Sequence, residues 1–307
     1  MSESTMLNEQ VEVENNAVNG ANNTNLIVKP IGIFESVFTR KNATPRQGAL
    51  CTKSKGRLVL TPENCFGKFA QGHGLDGLQD FSHLWLIYHF HDNGDDYKQI
   101  RTKVRAPRLN GGKVGVFASR TPHRPNPIGL TLAKLEAVDM KEGVLHLSGM
   151  DLIDGTPVLD IKPFIPQYDT AGYFNSAHGG GVDVTPPNVS YPSWIEQPPV
   201  SPIEDITFTE QAIKQLEECC NDAKHPLKFY KDWHDVRDAI LEVLRLDPRS
   251  TYRRKKCQDK IYYFHIDELN VSVDIKDDVE TNKTKAIVTK VEIWQVVLDC
   301  LKNDSKE

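Results

Sequence analysis

The sequence predicts a mainly β protein, a β-barrel domain followed by a smaller α+β domain. Three observations carry this expectation. Short apolar and β-branched runs recur between residues 31 and 162, separated by Gly, Pro, Asn and Asp turns. Helical periodicity in that stretch is confined to one window at residues 75–80. After residue 202 the pattern changes to amphipathic helices followed by strands.

Residues 31–36, 57–61, 83–90, 114–118, 128–138, 144–148 and 158–162 each have strand length. Met140-Lys141-Glu142-Gly143 reads as the tight turn of a hairpin. Seven short strands with few helices favour a closed or nearly closed, antiparallel-rich barrel over a doubly wound sheet. Residues 1–27 hold Asn, four Glu and no Lys or Arg, so they are read as a disordered acidic head and not as a targeting peptide. The barrel is assigned to 28–170, a Pro/Gly-rich linker or loop to 171–202, and the α+β domain to 203–302. There, Thr207-Phe208-Thr209-Glu210 resembles a capping box. It opens a helix bearing Ile213, Leu216 and Cys220, and a second helix bears Trp233, Val236, Ile240, Val243 and Leu244. Strand runs at 261–266, 269–275 and 286–295 close the chain.

The chain has 307 residues, net charge -5, 39% hydrophobic and 26% charged residues, ordinary values for a globular protein. No apolar run reaches the length of a membrane span, so no membrane partner is expected. The six cysteines lack C-x-x-C or framework spacing, which favours reduced thiols and a cytoplasmic (or nuclear) setting.

Charge is distributed unevenly. No Asp or Glu lies between Tyr97 and Leu135, yet Lys98, Arg101, Lys103, Arg105, Arg108, Lys113, Arg120, Arg124 and Lys134 do. Such a segment on an acidic chain suits an anion, with nucleic acid the leading candidate. Within it, Pro122, Pro125 and Pro127 stiffen the loop that presents Arg120 and Arg124. A second basic cluster follows at Tyr252-Arg253-Arg254-Lys255-Lys256, preceded by Arg245 and Arg249. It is a solvated charge run or a phosphate contact.

Three other motifs each have a plainer account. Gly72-His73-Gly74-Leu75-Asp76-Gly77 matches a dinucleotide fingerprint in letters only, because no buried strand precedes it and no crossover helix fits before residue 83. His83, His89 and His91 alternate as metal ligands could, but no Cys or acid completes the set, so no metal is expected. Asp151-Leu152-Ile153-Asp154-Gly155-Thr156-Pro157 is either a plain polar turn or a pair of carboxylates for ribose hydroxyls or a proton.

Several blocks, in this order and spacing, resemble the TrmO (TsaA-like) family of tRNA methyltransferases. They are Ala43-Thr44-Pro45-Arg46-Gln47, Leu78-Gln79-Asp80-Phe81-Ser82-His83-Leu84-Trp85 and Arg105-Ala106-Pro107-Arg108-Leu109. Gly115-Val116-Phe117-Ala118-Ser119-Arg120, Arg124-Pro125-Asn126-Pro127-Ile128-Gly129 and the turn beginning at Asp151 complete the set. Leu246-Asp247-Pro248-Arg249 and Tyr252-Arg253 extend the likeness into the second domain. The resemblance implies a single-sheeted β-barrel enzyme that uses S-adenosylmethionine. It implies a homodimer that methylates N6 of N6-threonylcarbamoyladenosine beside the tRNA anticodon. It also implies cofactor contacts at Pro45, Arg46, Gln47, Phe90, His91, Arg120, Leu130, Asp151, Leu152, Ile153 and Asp154.

Asp154 and Asp151, with His91, are candidate bases for a weakly nucleophilic nitrogen. Arg101, Arg105, Arg108, Arg124, Arg253 and Arg254 are candidate tRNA contacts. The competing reading is a non-catalytic RNA-binding β-barrel adaptor, which would need no cofactor cradle.

Overall fold

The computed structural model describes residues 11–13, 26–65, 71–93, 101–106, 109, 112–170, 202–257, 261–278 and 283–304. Lys98, Arg108 and most of the proline-rich segment lie outside the described residues. Within the head, Val11–Val13 pairs antiparallel with Leu26–Val28, where composition predicted no regular structure.

Six strands close into one barrel. These are β1 (Gly32–Ser36), β2 (Lys55–Leu60), β3 (His83–His89), β6 (Ile128–Asp139), β7 (Val144–Ser148) and β8 (Thr156–Pro163). Their order is β8-β1-β2-β7-β6-β3, and β3 pairs back onto β8, so every neighbouring pair is antiparallel. Alternation in sequence sets this wall. In β3, Leu84, Leu86 and Tyr88 point inward while His83, Trp85, Ile87 and His89 face out. Phe34, Leu58, Leu145, Leu147 and Val158 fill the interior from the other strands.

The seventh expected strand, at 114–118, is not part of the barrel. Lys113–Gly115 (β5) instead pairs with Lys103–Arg105 (β4) in a separate two-stranded ribbon, and Val116–Ala118 forms a 3-10 turn. Lys103, Arg105 and Lys113 share one exposed face, and the other offers the half-buried pair Val104 and Val114, a smaller apolar face than the barrel strands bury. The helical window at 75–80 narrows to a 3-10 turn at Leu78–Asp80 behind a one-turn helix, Gln71–Gly74.

The second unit is a four-stranded sheet in the order β9-β12-β11-β10. Its strands are β9 (Asp205–Phe208), β10 (Tyr262–Ile266), β11 (Leu269–Asp278) and β12 (Lys283–Ile293). β9 runs parallel to β12 and the other pairs are antiparallel. Helices α1 (Glu210–Cys220) and α2 (Trp233–Arg245) bury Ala212, Leu216 and Cys219, and Val236, Ala239, Ile240, Val243 and Leu244. The α1 cap is Thr209, whose side chain accepts from Ala212 N, and not Thr207, which is held in β9. The run at 286–295 ends as strand at Ile293, where helix α4 (Trp294–Asp304) begins.

The two units share a core. Val37, Phe38, Ala43 and Cys51, all on the segment joining β1 to β2, pack into the apolar cluster of the second unit. Polar contacts reinforce the join. Asp267 N donates to Val37 O (2.7 Å) and Tyr230 Oη to Lys53 O (2.9 Å). Lys53 N and Thr52 Oγ1 donate to Glu242, and Lys55 pairs with Asp235 at 2.8 Å.

Arg249 and Asp247 are each 5% exposed. The Arg249 guanidinium spans two carboxylates, at 2.8 and 2.9 Å to Asp247 and 3.0 and 2.7 Å to Asp277. Those partners raise its pKa beyond the loss caused by burial. This arginine therefore belongs to the frame and is withdrawn from the basic cluster with which the sequence grouped it. Arg249→Ala leaves buried Asp247 with only the more distant Arg254 (3.8 Å) and Asp277 with Thr284, and a loss of about 3–5 kcal/mol in urea unfolding is expected.

Candidate functional site

Four segments meet at one end of the barrel. These are the β1–β2 connection (37–54), the exit of β3 (90–93), the proline loop (119–127) and the turn at 149–155. Each is tied to another by polar contacts. Lys41 pairs with Asp92 at 3.3 Å, and Phe90 N donates to Pro127 O at 2.8 Å. Asn93, nearly buried, donates to Pro122 O at 3.2 Å. Arg120 donates to Gln47 Oε1 at 2.6 Å, joining the proline loop to the β1–β2 connection.

The 149–155 turn is pinned at both ends. Buried Ser54 Oγ accepts from Met150 N (2.9 Å) and donates to Cys51 O (2.8 Å), while Gly149 N donates to Ser54 O (3.1 Å). Gly48 lies so close that a Cβ there would sit 2.2 Å from Gly149 O, so only glycine permits the approach. At the far end, Asp154 Oδ1 accepts from Ser36 N (2.8 Å) and Asp154 N donates to Phe38 O (2.8 Å). Asp154 thus spends one carboxylate oxygen on the backbone.

Asp151 is different. Its Oδ1 is buried and has no hydrogen-bond partner. Burial pushes its pKa above 3.8, a shift tempered by neighbouring Thr131 and by the positive charge of Arg120. Tyr88 stands beside it: burial, then the Asp151 carboxylate, push the phenol up. The Tyr88 ring lies across Gly129, where an added Cβ would sit 2.2 Å from it, and Phe90 packs edge-on against that ring at 5.0 Å. A buried acceptor without a donor is costly unless something else supplies the donor.

The structure brings together Gln47, Arg120, Phe90, Asp151 and Asp154 of the sequence-predicted cofactor set. Pro45 is buried beside them, and His91 is exposed next to Gly155. Arg46 is exposed, and partial desolvation and then the charge of Arg254 lower its pKa. Two predicted residues point elsewhere: Leu152 is 1% exposed in the barrel core, and Leu130 is 50% exposed on the outer face. Tyr88 and Thr131 escaped sequence reasoning, although strict alternation along β3 and β6 turns both inward, as the barrel interior requires.

A basic groove opens next to this cluster. Arg101, Lys103, Arg105, Lys113, Thr121 and His123 line a volume of about 610 Å3 between the β4–β5 ribbon and the proline loop. Arg124 is anchored by donating to Ser119 O at 2.8 Å, and its guanidinium lies 5.9 Å from the ring centroid of Phe117, which is 78% exposed. Among the described residues, no group of three or more side chains has the placement of a metal site. No helix among them is long and apolar enough to cross a membrane.

Comparison with known proteins matches both units. Residues 33–170 fit the tRNA-methyltransferase O N-terminal domain and residues 202–292 the TrmO C-terminal domain. A tRNA (adenine(37)-N6)-methyltransferase of Escherichia coli is 34% identical over 251 residues, covering 80% of this chain and 92% of that protein. One from Mus musculus is 31% identical, covering 81% of this chain and 86% of that one. A human enzyme of the same name is 49% identical over 152 residues, a match that covers 48% of this chain and 32% of the human protein. A crystal structure of TrmO from Pseudomonas aeruginosa superposes with a TM-score of 0.57 at 30% identity, covering 86% of this chain and 97% of that one.

Two substitutions separate packing from site chemistry. Gly129→Ala drives a methyl group into the Tyr88 ring and is expected to cost about 1–3 kcal/mol in urea unfolding. Asp151→Asn, which removes the desolvation cost of a buried carboxylate whose Oδ1 has no partner, is expected to hold or raise Tm in a thermal scan.

Proposed function

The chain belongs to the tRNA-methyltransferase O family, and from that premise we propose that it transfers a methyl group from S-adenosylmethionine to N6 of adenine 37 of tRNA. The reading further includes N6-threonylcarbamoyladenosine as the form of the base acted on, a homodimer as the working unit, and action in the cytoplasm. The observation that carries it is the Asp151 Oδ1 acceptor, buried without a donor within reach of the Arg120 charge. An adaptor that only bound RNA would have no use for such an acceptor, so the competing reading is not favoured.

The residues fit the cofactor. Arg120, and Arg46 next in the chain to its partner Gln47, suit its carboxylate, and Asp151 suits a donor N–H or O–H. When bound, S-adenosylmethionine supplies a methyl group on a sulfonium. The protein's share is to position the base, keep the site dry and take the N6 proton. Asp151 suits the last task better than Asp154, because burial strengthens its hold on a proton whereas Asp154 is engaged with Ser36 N. Phe90 and Tyr88 wall the cradle against water. Arg101, Arg105 and Arg124 supply cations for tRNA phosphates and for the carboxylate of a threonylcarbamoyl arm. Exposed Phe117, Ile128 and Leu130, at 78%, 45% and 50%, offer an apolar margin for a second subunit.

The direct test is mass spectrometry of nucleosides from tRNA incubated with the protein and S-adenosylmethionine. One added methyl on the threonylcarbamoyl base is expected, and none on tRNA lacking that modification. Methylation of both alike would remove the threonylcarbamoyl specificity. Arg124→Ala is expected to raise KM for tRNA and reduce the slope of log affinity against log salt by about 1.

Because the folded pKa of Asp151 lies above 3.8, its carboxylate is depleted sooner on acidification than an ordinary one. The acid limb of kcat/KM is therefore expected above pH 3.8, and to vanish, with most of the activity, in Asp151→Asn.

A further inference from the structure

The basic turn of the second unit, helix α3 (Thr251–Lys256), is an element that this reaction scheme does not use. Of the cations in its neighbourhood, Arg249 is consumed by Asp247 and Asp277. Its outer surface differs. Tyr252 is 70% exposed, Lys256 is exposed, and no acidic side chain lies between residues 251 and 257 of a chain whose net charge is -5. An exposed aromatic set among cations matches the two demands of an unpaired nucleotide, a flat face for the base and positive charge for the phosphate.

The turn is also held rigidly, and close to the cradle. Ser250 caps it by accepting from Arg253 N at 3.2 Å. The Arg253 guanidinium rests 5.4 Å from the Tyr262 ring centroid, and Tyr262 Oη donates to Asn42 Oδ1 at 2.6 Å. Asn42 Nδ2 in turn donates to Tyr263 O. Asn42 lies four residues before Arg46, whose pKa Arg254 helps to lower. The turn and the β1–β2 connection thus lie side by side, with exposed Arg40 on the same connection, while Lys41 is paired with Asp92 and Arg254 with Asp247.

We propose that α3 is an RNA-contacting surface of the C-terminal unit, in which Tyr252 stacks on an unpaired nucleotide and Arg253 neutralises an adjoining phosphate, beside the cradle of the same chain. The inference rests on the tRNA reading above and gives the second unit a role in it. The occupant is single-stranded RNA because a paired duplex offers phosphates but no free base face.

The test uses the full chain and two labelled RNAs of equal length, a hairpin with an unpaired loop and a blunt duplex, followed by fluorescence anisotropy. Tyr252→Ala is expected to weaken the hairpin by roughly 10-fold and leave the duplex unchanged, with Tyr252→Phe close to wild type. Arg253→Ala should weaken both and flatten the salt dependence. Stabilisation by S-adenosylmethionine in a thermal scan should be the same for all variants, which keeps misfolding apart from lost contact.

Hairpin affinity unaltered in Tyr252→Ala, equal loss on the duplex, or a Tyr252→Phe variant as weak as Tyr252→Ala would each overturn the stacking role. If wild-type protein transfers no methyl group to tRNA, the functional reading itself fails. If it methylates tRNA and Tyr252→Ala does so with unchanged KM, only this inference falls.

Discussion

Most of the described molecule is organised by the double pinning of the turn at 149–155 against the β1–β2 connection. Ser54 holds one end through Met150 and Cys51, and Asp154 holds the other through Ser36 and Phe38. Each such hydrogen bond contributes about 1 kcal/mol, so the four or so involved do not dominate stability. Their weight is geometric. They decide that one face of the connection carries Gln47 toward Arg120 while the other carries Val37, Phe38 and Cys51 into the second unit. The cradle, the proline loop and the C-terminal sheet are all positioned from this strip of chain.

The barrel was largely legible in the sequence, because a strand with one face inside must alternate and the alternation survives translation into residues. β3, β6 and β7 begin or end where the pattern does. Failures came where a local run had another use. The residues at 114–118 look like a strand, but one face of their ribbon is charged, and they divide between that ribbon outside the wall and a 3-10 turn. β9 is too short to declare itself, and it exists because β12 offers it a parallel edge. Where Trp294 begins a helix, its N–H donates to Glu268 O and its ring packs edge-on against His265 at 4.1 Å, tertiary contacts invisible in the strand-like run before it.

The site was legible in outline only. Charge asymmetry and proline spacing found the loop that carries Arg120 and Arg124. The likeness to a family found the Asp151 turn, but could not divide its two carboxylates. Burial divides them: Asp154 is a strut, and Asp151 is left with an acceptor to satisfy. Tyr88 and Thr131 matter because they surround that acceptor, and nothing in their own letters distinguishes them from other inward residues of the barrel. The glycine-rich match near residue 72 illustrates the opposite error, letters without context. Gly77 simply turns the chain, with φ at +80, ahead of β3.

The shared core between the units bears on how the protein melts. Val37, Phe38, Ala43 and Cys51 belong by sequence to the barrel and by packing to the other unit. Loosening the C-terminal sheet strips cover from the connection that shapes the cradle, and loosening the barrel removes side chains from the C-terminal core. The two units are then bound to a common unfolding event instead of melting independently. Heat or denaturant would find one cooperative object, and loss of the cluster at the barrel end would coincide with loss of the distant sheet.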